Sequence, residues 1–238
     1  MLGWNTEHLS NLNKNANIEL IRINNQWKIV QAYYSIYCIS EAAAYLLNGT
    51  EAGGHSKCLN KIGEYLATRK NHFPWNLAVH GSFGKAGDAY EFRNFPTSLE
   101  MPKNNLTRSG RPIAMIALCL KAEHGKRVKE YSKPKGKGLL KYNYNPGNTT
   151  ILSFLYRLRI LSNYKDVEIF LTQSNDQLIK RFSDDLSFIC FYTNSLFEIF
   201  SIRKIGIKKF KEHVASYRVV NPSASELVER FSYYEKWL

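Results

Sequence analysis

The sequence predicts a mainly α-helical fold. Three observations lead there: apolar residues recur at helical spacing in several long segments, cap and stop residues bracket those segments, and alternating strand-like patterns are scarce. At 238 residues the chain can bury a substantial core, and a single domain over 1–238 with elaborations is the expected organisation. Hydrophobic residues make up 44% of it, which places it well away from compositions that stay disordered.

Gln26 to Leu47 is dense in Trp, Tyr, Ile, Ala and Leu and contains no Gly or Pro. With Asn24-Asn25 as a cap and Asn48-Gly49 as a stop, it reads as a helix buried on more than one side, at the centre of the core. Ser56 caps a second predicted helix running to about Thr68, with Cys58, Leu59, Ile62, Tyr65 and Leu66 on one face. The glycines between Gly49 and Gly54 make the pair an antiparallel helical hairpin. From 73 to 111 the periodicity disappears among Gly81, Gly84, Gly87, Pro74, Pro96 and Pro102, so this stretch is expected to be an irregular insertion.

Pro112 opens a short predicted helix through Leu120, followed by a basic loop over 133–147. A third strong helix begins near Thr149 and carries Ile151, Phe154, Leu155, Leu158 and Leu161. A fourth runs from about Asn175 to Ile202, with a kink or break expected near Ser183. The end of the chain, 203–238, reads as a basic segment and a terminal helix, the latter announced by Ser223-x-x-Glu226 in capping-box form.

The opening Met1-Leu2-Gly3-Trp4-Asn5 lacks both a charged start with an apolar run and a Met-Gly acylation signal, so export is not expected. Polar residues interrupt both of the most apolar regions, Ile29 to Leu47 and Leu186 to Ile202, and neither reads as a membrane span. Cys38, Cys58, Cys119 and Cys190 are widely spaced, form no C-x-x-C pair and mostly sit in apolar surroundings. That pattern fits reduced thiols and a cytoplasmic location.

Net charge is +13, and it is unevenly spread. Segment 121–141 holds eight basic and two acidic residues, with Lys133, Lys135 and Lys137 interleaved among Tyr131, Tyr142 and Tyr144 on its flanks. A second basic stretch contains Arg203, Lys204, Lys208, Lys209, Lys211 and Arg218. Such surfaces attract phosphate backbones by releasing counterions, and exposed tyrosines stack on unpaired bases; the competing account is a solvated surface.

Other motifs are weaker. Gly81-x-x-Gly84-Lys85-Ala86 lacks the first Gly and the final Ser/Thr of a phosphate loop. His55 and Cys58 have metal-ligand spacing without a second pair, so His55 is read as part of a helix start. His72 and His80 flank an aromatic segment and read as structural or exposed. Neither a serine nucleophile elbow nor an H-E-x-x-H helix occurs, and no cofactor or metal is expected.

Four ordered features resemble the HEPN superfamily of prokaryotic defence and toxin proteins. They are Ala32-Tyr33-Tyr34-Ser35-Ile36-Tyr37, Glu41-Ala42-Ala43-Ala44-Tyr45-Leu46-Leu47, His55-Ser56-Lys57, and Leu155 to Tyr164 ahead of a long final helix. The resemblance covers 26–68 and 149–202, about half the chain, and implies a HEPN-like antiparallel helical bundle with a long loop-rich insertion. Active members carry an Arg, four to six residues, then a His on one helix, and cleave RNA without a metal, usually across a dimer cleft. Here Arg159 is followed after four residues by Tyr164 instead, and none of the six histidines has an Arg at the matching upstream distance. An unperturbed phenol, with a pKa of about 10, is a poor base near neutrality, whereas an imidazole is a good one.

At about 100° per residue, Arg159, Asn163 and Asp166 share one side of their helix, and Arg157 and Tyr164 another. One reading is a structural network in which Asp166 holds Arg159; the other is a nucleic-acid or catalytic site built from Arg159, Tyr164 and Asn163. In the second, Arg157, Lys133, Lys135, Lys137, Lys208 and Lys209 bind the phosphate backbone. The resemblance therefore implies either a divergent ribonuclease or an RNA binder, with RNA or other nucleic acid as partner. The missing His leaves open a catalytically degenerate adaptor in a larger complex, with a protein partner or a second copy of the chain.

Overall fold

The computed structural model describes residues 1–12, 16–51, 53–68, 75–81, 83–84, 87–88, 91–93, 120–129, 147–164 and 175–237. It is mainly helical, with eight helices among the described residues. Two compact units emerge, one made of Met1–Cys58 with Leu158–Leu238, the other of Leu59–Arg157.

The first unit begins with α1 (Leu2–Asn11), which the sequence reading left unassigned. It buries Gly3, Trp4, Glu7 and Ser10, a set at helical spacing. Gly3 is required there: a Cβ would stand 2.7 Å from Ile39 Cγ1 and 2.9 Å from Ser35 O. Its carbonyl in turn accepts a 2.8 Å hydrogen bond from Ser35 Oγ, so the two helices approach backbone to side chain.

The central helix α2 (Ile18–Asn48) is longer than expected. Its cap is Asn17, whose Oδ1 accepts from Leu20 N, and not Asn24-Asn25; Asn25 lies buried inside the helix and donates to Ile179 O at 3.0 Å. The stop is as expected, with Gly49 at φ 70 and its N–H on Tyr45 O. Ile29, Ala32, Tyr33, Ile36, Ala43 and Ala44 are buried, which puts α2 in the core as the apolar density predicts. α3 (His55–Thr68) follows, with Cys58, Leu59, Ile62 and Leu66 buried on one face and Tyr65 half-buried.

Between Ala78 and Arg93, where irregular chain is expected, the described residues form two small antiparallel ribbons. β1 (Ala78–His80) pairs with β4 (Glu91–Arg93), and β2 (Phe83–Gly84) with β3 (Gly87–Asp88). Val79 also bridges Thr149. The remainder of the 73–111 insertion, the predicted helix start at Pro112 and Lys133, Lys135 and Lys137 lie outside the described residues. Residues 120–129 are helical (α4), so the first half of the basic 121–141 segment is ordered secondary structure.

α5 (Ile151–Tyr164) starts close to the predicted position and buries Ile151, Leu152 and Leu155. α6 (Asp176–Ile205) runs unbroken through Ser183, where a kink is expected. Ser183 is buried and its hydroxyl accepts from Lys28 Nζ at 2.8 Å, so this polar side chain is satisfied without opening the helix. The basic segment after it is a helix of its own, α7 (Ile207–Val220), entered through Gly206 at φ 86. Its Phe210, Val214 and Tyr217 are buried at helical spacing. α8 (Ser225–Trp237) ends the described chain. The predicted capping box does not form: Ser223 Oγ meets His8 Nε2 at 3.1 Å and Glu226 Oε2 lies 3.6 Å from His8 Nδ1. Trp4, Phe210, Val214, Tyr217, Leu227 and Phe231 close a core between α1, α7 and α8. Among the described residues no helix is long and apolar enough to cross a membrane.

Candidate functional site

Three arginine-centred clusters are built by these helices, and burial separates them. The first is sealed in the first unit. Arg230 of α8 is 1% exposed and donates to both oxygens of Glu7 at 2.7 and 2.8 Å, and to both oxygens of Glu198 at 2.8 Å. Trp4 Nε1 and Tyr234 Oη also donate to Glu198, at 2.8 and 2.7 Å. Burial raises the Glu7 carboxyl above its ordinary value, with Arg230 opposing. The two carboxylates hold Arg230 strongly protonated against the cost of its own burial. This is a clamp that locks α1, α6 and α8 together.

The second cluster lies in the second unit. His124 is fully buried; its Nε2 meets Gly81 O at 3.0 Å, so that nitrogen carries the proton, and its Nδ1 accepts from Thr149 Oγ1 at 2.8 Å. Arg127 donates to the same hydroxyl at 2.7 Å and to Asn60 Oδ1 at 3.1 Å. Burial first, and then Arg127 and His80, lower the imidazole pKa against the opposing bond to Gly81. Both ring nitrogens are engaged inside the protein, so the cluster ties α4 to the Gly81 and Thr149 backbone.

The third is half-open and is the candidate site. Successive turns of α2 present Tyr33, Tyr34 and Tyr37, and the glycine-rich turn with Gly53 and Gly54 at positive φ delivers His55 at the head of α3. Tyr33, 2% exposed, shares a 2.7 Å hydrogen bond with His55 Nδ1. The Tyr37 ring lies 4.1 Å from the imidazole and the Tyr34 ring stands edge-on at 5.7 Å. From α5, Arg159 Nη2 donates to Tyr34 Oη at 3.0 Å, and its guanidinium carbon sits 5.3 and 5.7 Å from the Tyr34 and Tyr33 ring centroids.

Partial burial and the nearby Arg159 charge push the His55 pKa down, with Glu41 opposing. Burial and Glu41 push the Tyr37 phenol up. At neutral pH the cluster therefore presents a neutral imidazole, a permanent guanidinium cation and protonated phenols, a set able to accept a proton and to bind a phosphate. Tyr34, Tyr37, His55 and Arg159 are all half-buried, so the set is neither sealed nor fully solvated.

Of the residues singled out from sequence, Arg159 is in this cluster. Arg157, two positions before it, belongs to the second unit and lies 3.8 Å from Glu123 Oε2. Asn163 and Tyr164 are in the last turn of α5, but their side chains, and Asp166, lie outside the described residues. Lys208 and Lys209 are exposed on α7 beside Arg203, Lys204, Lys211 and Arg218; of these, Lys211 contacts Glu235 Oε1 at 2.5 Å. His55 and the three tyrosines were missed as site residues. The search looked for Arg and His on one helix, while the fold supplies them from two. The available signal was that both residues fall within the quoted segments. Among the described residues no group of three or more His, Cys, Asp or Glu side chains converges to hold a metal ion. The chain matches no family model, no curated protein and no solved structure.

Proposed function

We propose that the chain is a HEPN-like RNA-targeting protein acting without a metal at the Arg159–His55–tyrosine cluster, as a divergent ribonuclease or an RNA binder. The observation that carries this reading is the convergence of a cation, an imidazole with a lowered pKa and stacking aromatic rings in one half-open site. The resemblance supplies the prokaryotic defence or toxin context. In the ribonuclease form, neutral His55 accepts the proton of an RNA 2′-hydroxyl and the freed oxygen attacks the adjacent phosphorus. The bond to the 5′-oxygen breaks, that oxygen takes up a proton, and the products are a 2′,3′-cyclic phosphate and a 5′-hydroxyl. Arg159 balances the charge that gathers on the non-bridging oxygens. The exposed row on α7 around Lys208 and Lys209 supplies non-specific phosphate affinity.

Labelled single-stranded RNA incubated in EDTA tests both forms. Cleavage to cyclic-phosphate ends, lost in His55→Ala and in Arg159→Ala, is the expected result for a ribonuclease. A salt-sensitive shift without cleavage supports the binder, and neither effect in the wild type refutes the proposal. The double Lys208→Glu and Lys209→Glu variant should flatten the salt slope by about two.

A further inference from the structure

The chain is strongly basic, yet one groove in the first unit is acidic. A cavity of about 460 Å³ is lined by Asp184, Phe188, Phe191 and Tyr192 of α6, Glu226 and Glu229 of α8, and the end of α1 at Asn11. No Lys or Arg is among the lining residues. On α6 the lining positions recur at helical spacing, so one continuous strip of that helix forms the floor. Ser187 Oγ fixes the far end by donating to Asn11 Oδ1 at 2.8 Å.

The aromatic wall is exposed to a degree that burial in the core does not explain. Phe188 is 59% exposed and Tyr192 44%, with their ring centroids 4.3 Å apart. Phe191 adjoins Tyr192 at 5.4 Å and already carries a cation, the Arg230 guanidinium, 5.1 Å from its centroid. Ring faces beside carboxylates make a surface for cations: the rings attract positive charge through their quadrupoles, and the carboxylates supply the counter-charge. An anionic polymer such as RNA is repelled here, which separates this groove from the basic row on α7.

We infer that this groove docks a lysine- or arginine-bearing peptide segment of a protein partner. Charge complementarity selects the basic side chains. An extended segment is favoured over a single small cation because the carboxylates and rings are distributed along an open groove supplied by three helices, with room for more than one side chain. Asp184 and Glu229 are exposed and face incoming charge directly; Glu226 already lies near His8, as its 3.6 Å contact shows, and is assigned a supporting place. The inference does not depend on the RNA reading.

The test is fluorescence polarisation of a fluorescein-labelled Lys/Arg-rich peptide on the full chain, with a Glu-substituted peptide as control. The basic peptide should bind and the acidic one should not. Asp184→Asn with Glu229→Gln should weaken binding about tenfold, and so should Phe188→Ala with Tyr192→Ala. All four positions are exposed, so both variants should keep the wild-type circular dichroism, and RNA shifts should be unchanged. Absence of peptide binding, or either double variant binding like the wild type, overturns the inference. Competition by free arginine as effective as by unlabelled peptide assigns the groove to a small cation and overturns it too.

Discussion

His124 with Arg127 and Thr149, and His55 with Arg159 and Tyr33, are the same kind of constellation: an imidazole, a guanidinium and a hydroxyl. The first is buried, with one ring nitrogen on a backbone carbonyl and the other on a hydroxyl already held by Arg127. The second is half-buried, and its guanidinium and imidazole are surrounded by aromatic faces. The contrast teaches that residue types alone do not mark a site. In the sealed constellation proton exchange would break the fold's own hydrogen bonds, so the groups are structural. In the open one the same chemistry is accessible to a ligand.

The comparison can be broken by substitution, and the sealed Arg230 clamp sets the upper limit. Arg230→Ala leaves two buried carboxylates without their cation and should cost about 3 to 5 kcal/mol, read by urea denaturation. His124→Ala should cost about 2 to 4 kcal/mol, through the cavity and two orphaned partners. His55→Ala should cost about 1 kcal/mol and yet remove RNA activity. A His55→Ala protein as destabilised as His124→Ala would erase the distinction between the two clusters.

Acid sharpens the comparison further. Both histidines have folded pKa values below the ordinary 6.5, so the unfolded chain binds their protons first. Their contribution is full above about pH 6.5 and is lost as pH falls through the window between the unfolded and folded values. Thermal midpoints should therefore drop between about pH 7 and 5, and His124→Gln should flatten that slope more than His55→Gln, since the exposed imidazole is better screened. Glu7 acts in the opposite sense, its raised pKa favouring the fold as pH falls toward its ordinary value of 4.5.

The smallest effects are expected at the phenols. Tyr34→Phe removes one hydrogen bond to Arg159 and should cost about 1 to 2 kcal/mol with reduced RNA affinity. Tyr164→Phe should cost about 1 kcal/mol or less and leave function intact, while Arg159→Ala loses it. An inactive but folded Tyr164→Phe beside an active Arg159→Ala would transfer the reactive role to the Tyr164 phenol.

Sequence by itself determined the helical class, the central placement of α2, the Gly49 stop and the approximate starts of α3, α5 and α6, because these depend on local periodicity and on glycine's access to positive φ. It left α7 as a basic segment, although Phe210, Val214 and Tyr217 were at helical spacing, because surrounding lysines masked them. Tertiary structure alone decided the caps: Asn17 serves α2 because Asn25 is drawn into a bond with Ile179 O, and Ser223 is diverted to His8. It also decided the site. Arg159 meets Tyr34 and His55 across sequence separations that no motif spacing encodes, and Glu7 and Arg230, near opposite ends of the sequence, form the clamp. Local preferences are set by neighbours along the chain. Which imidazole is sealed and which stays open is set by burial, and burial belongs to the packed fold.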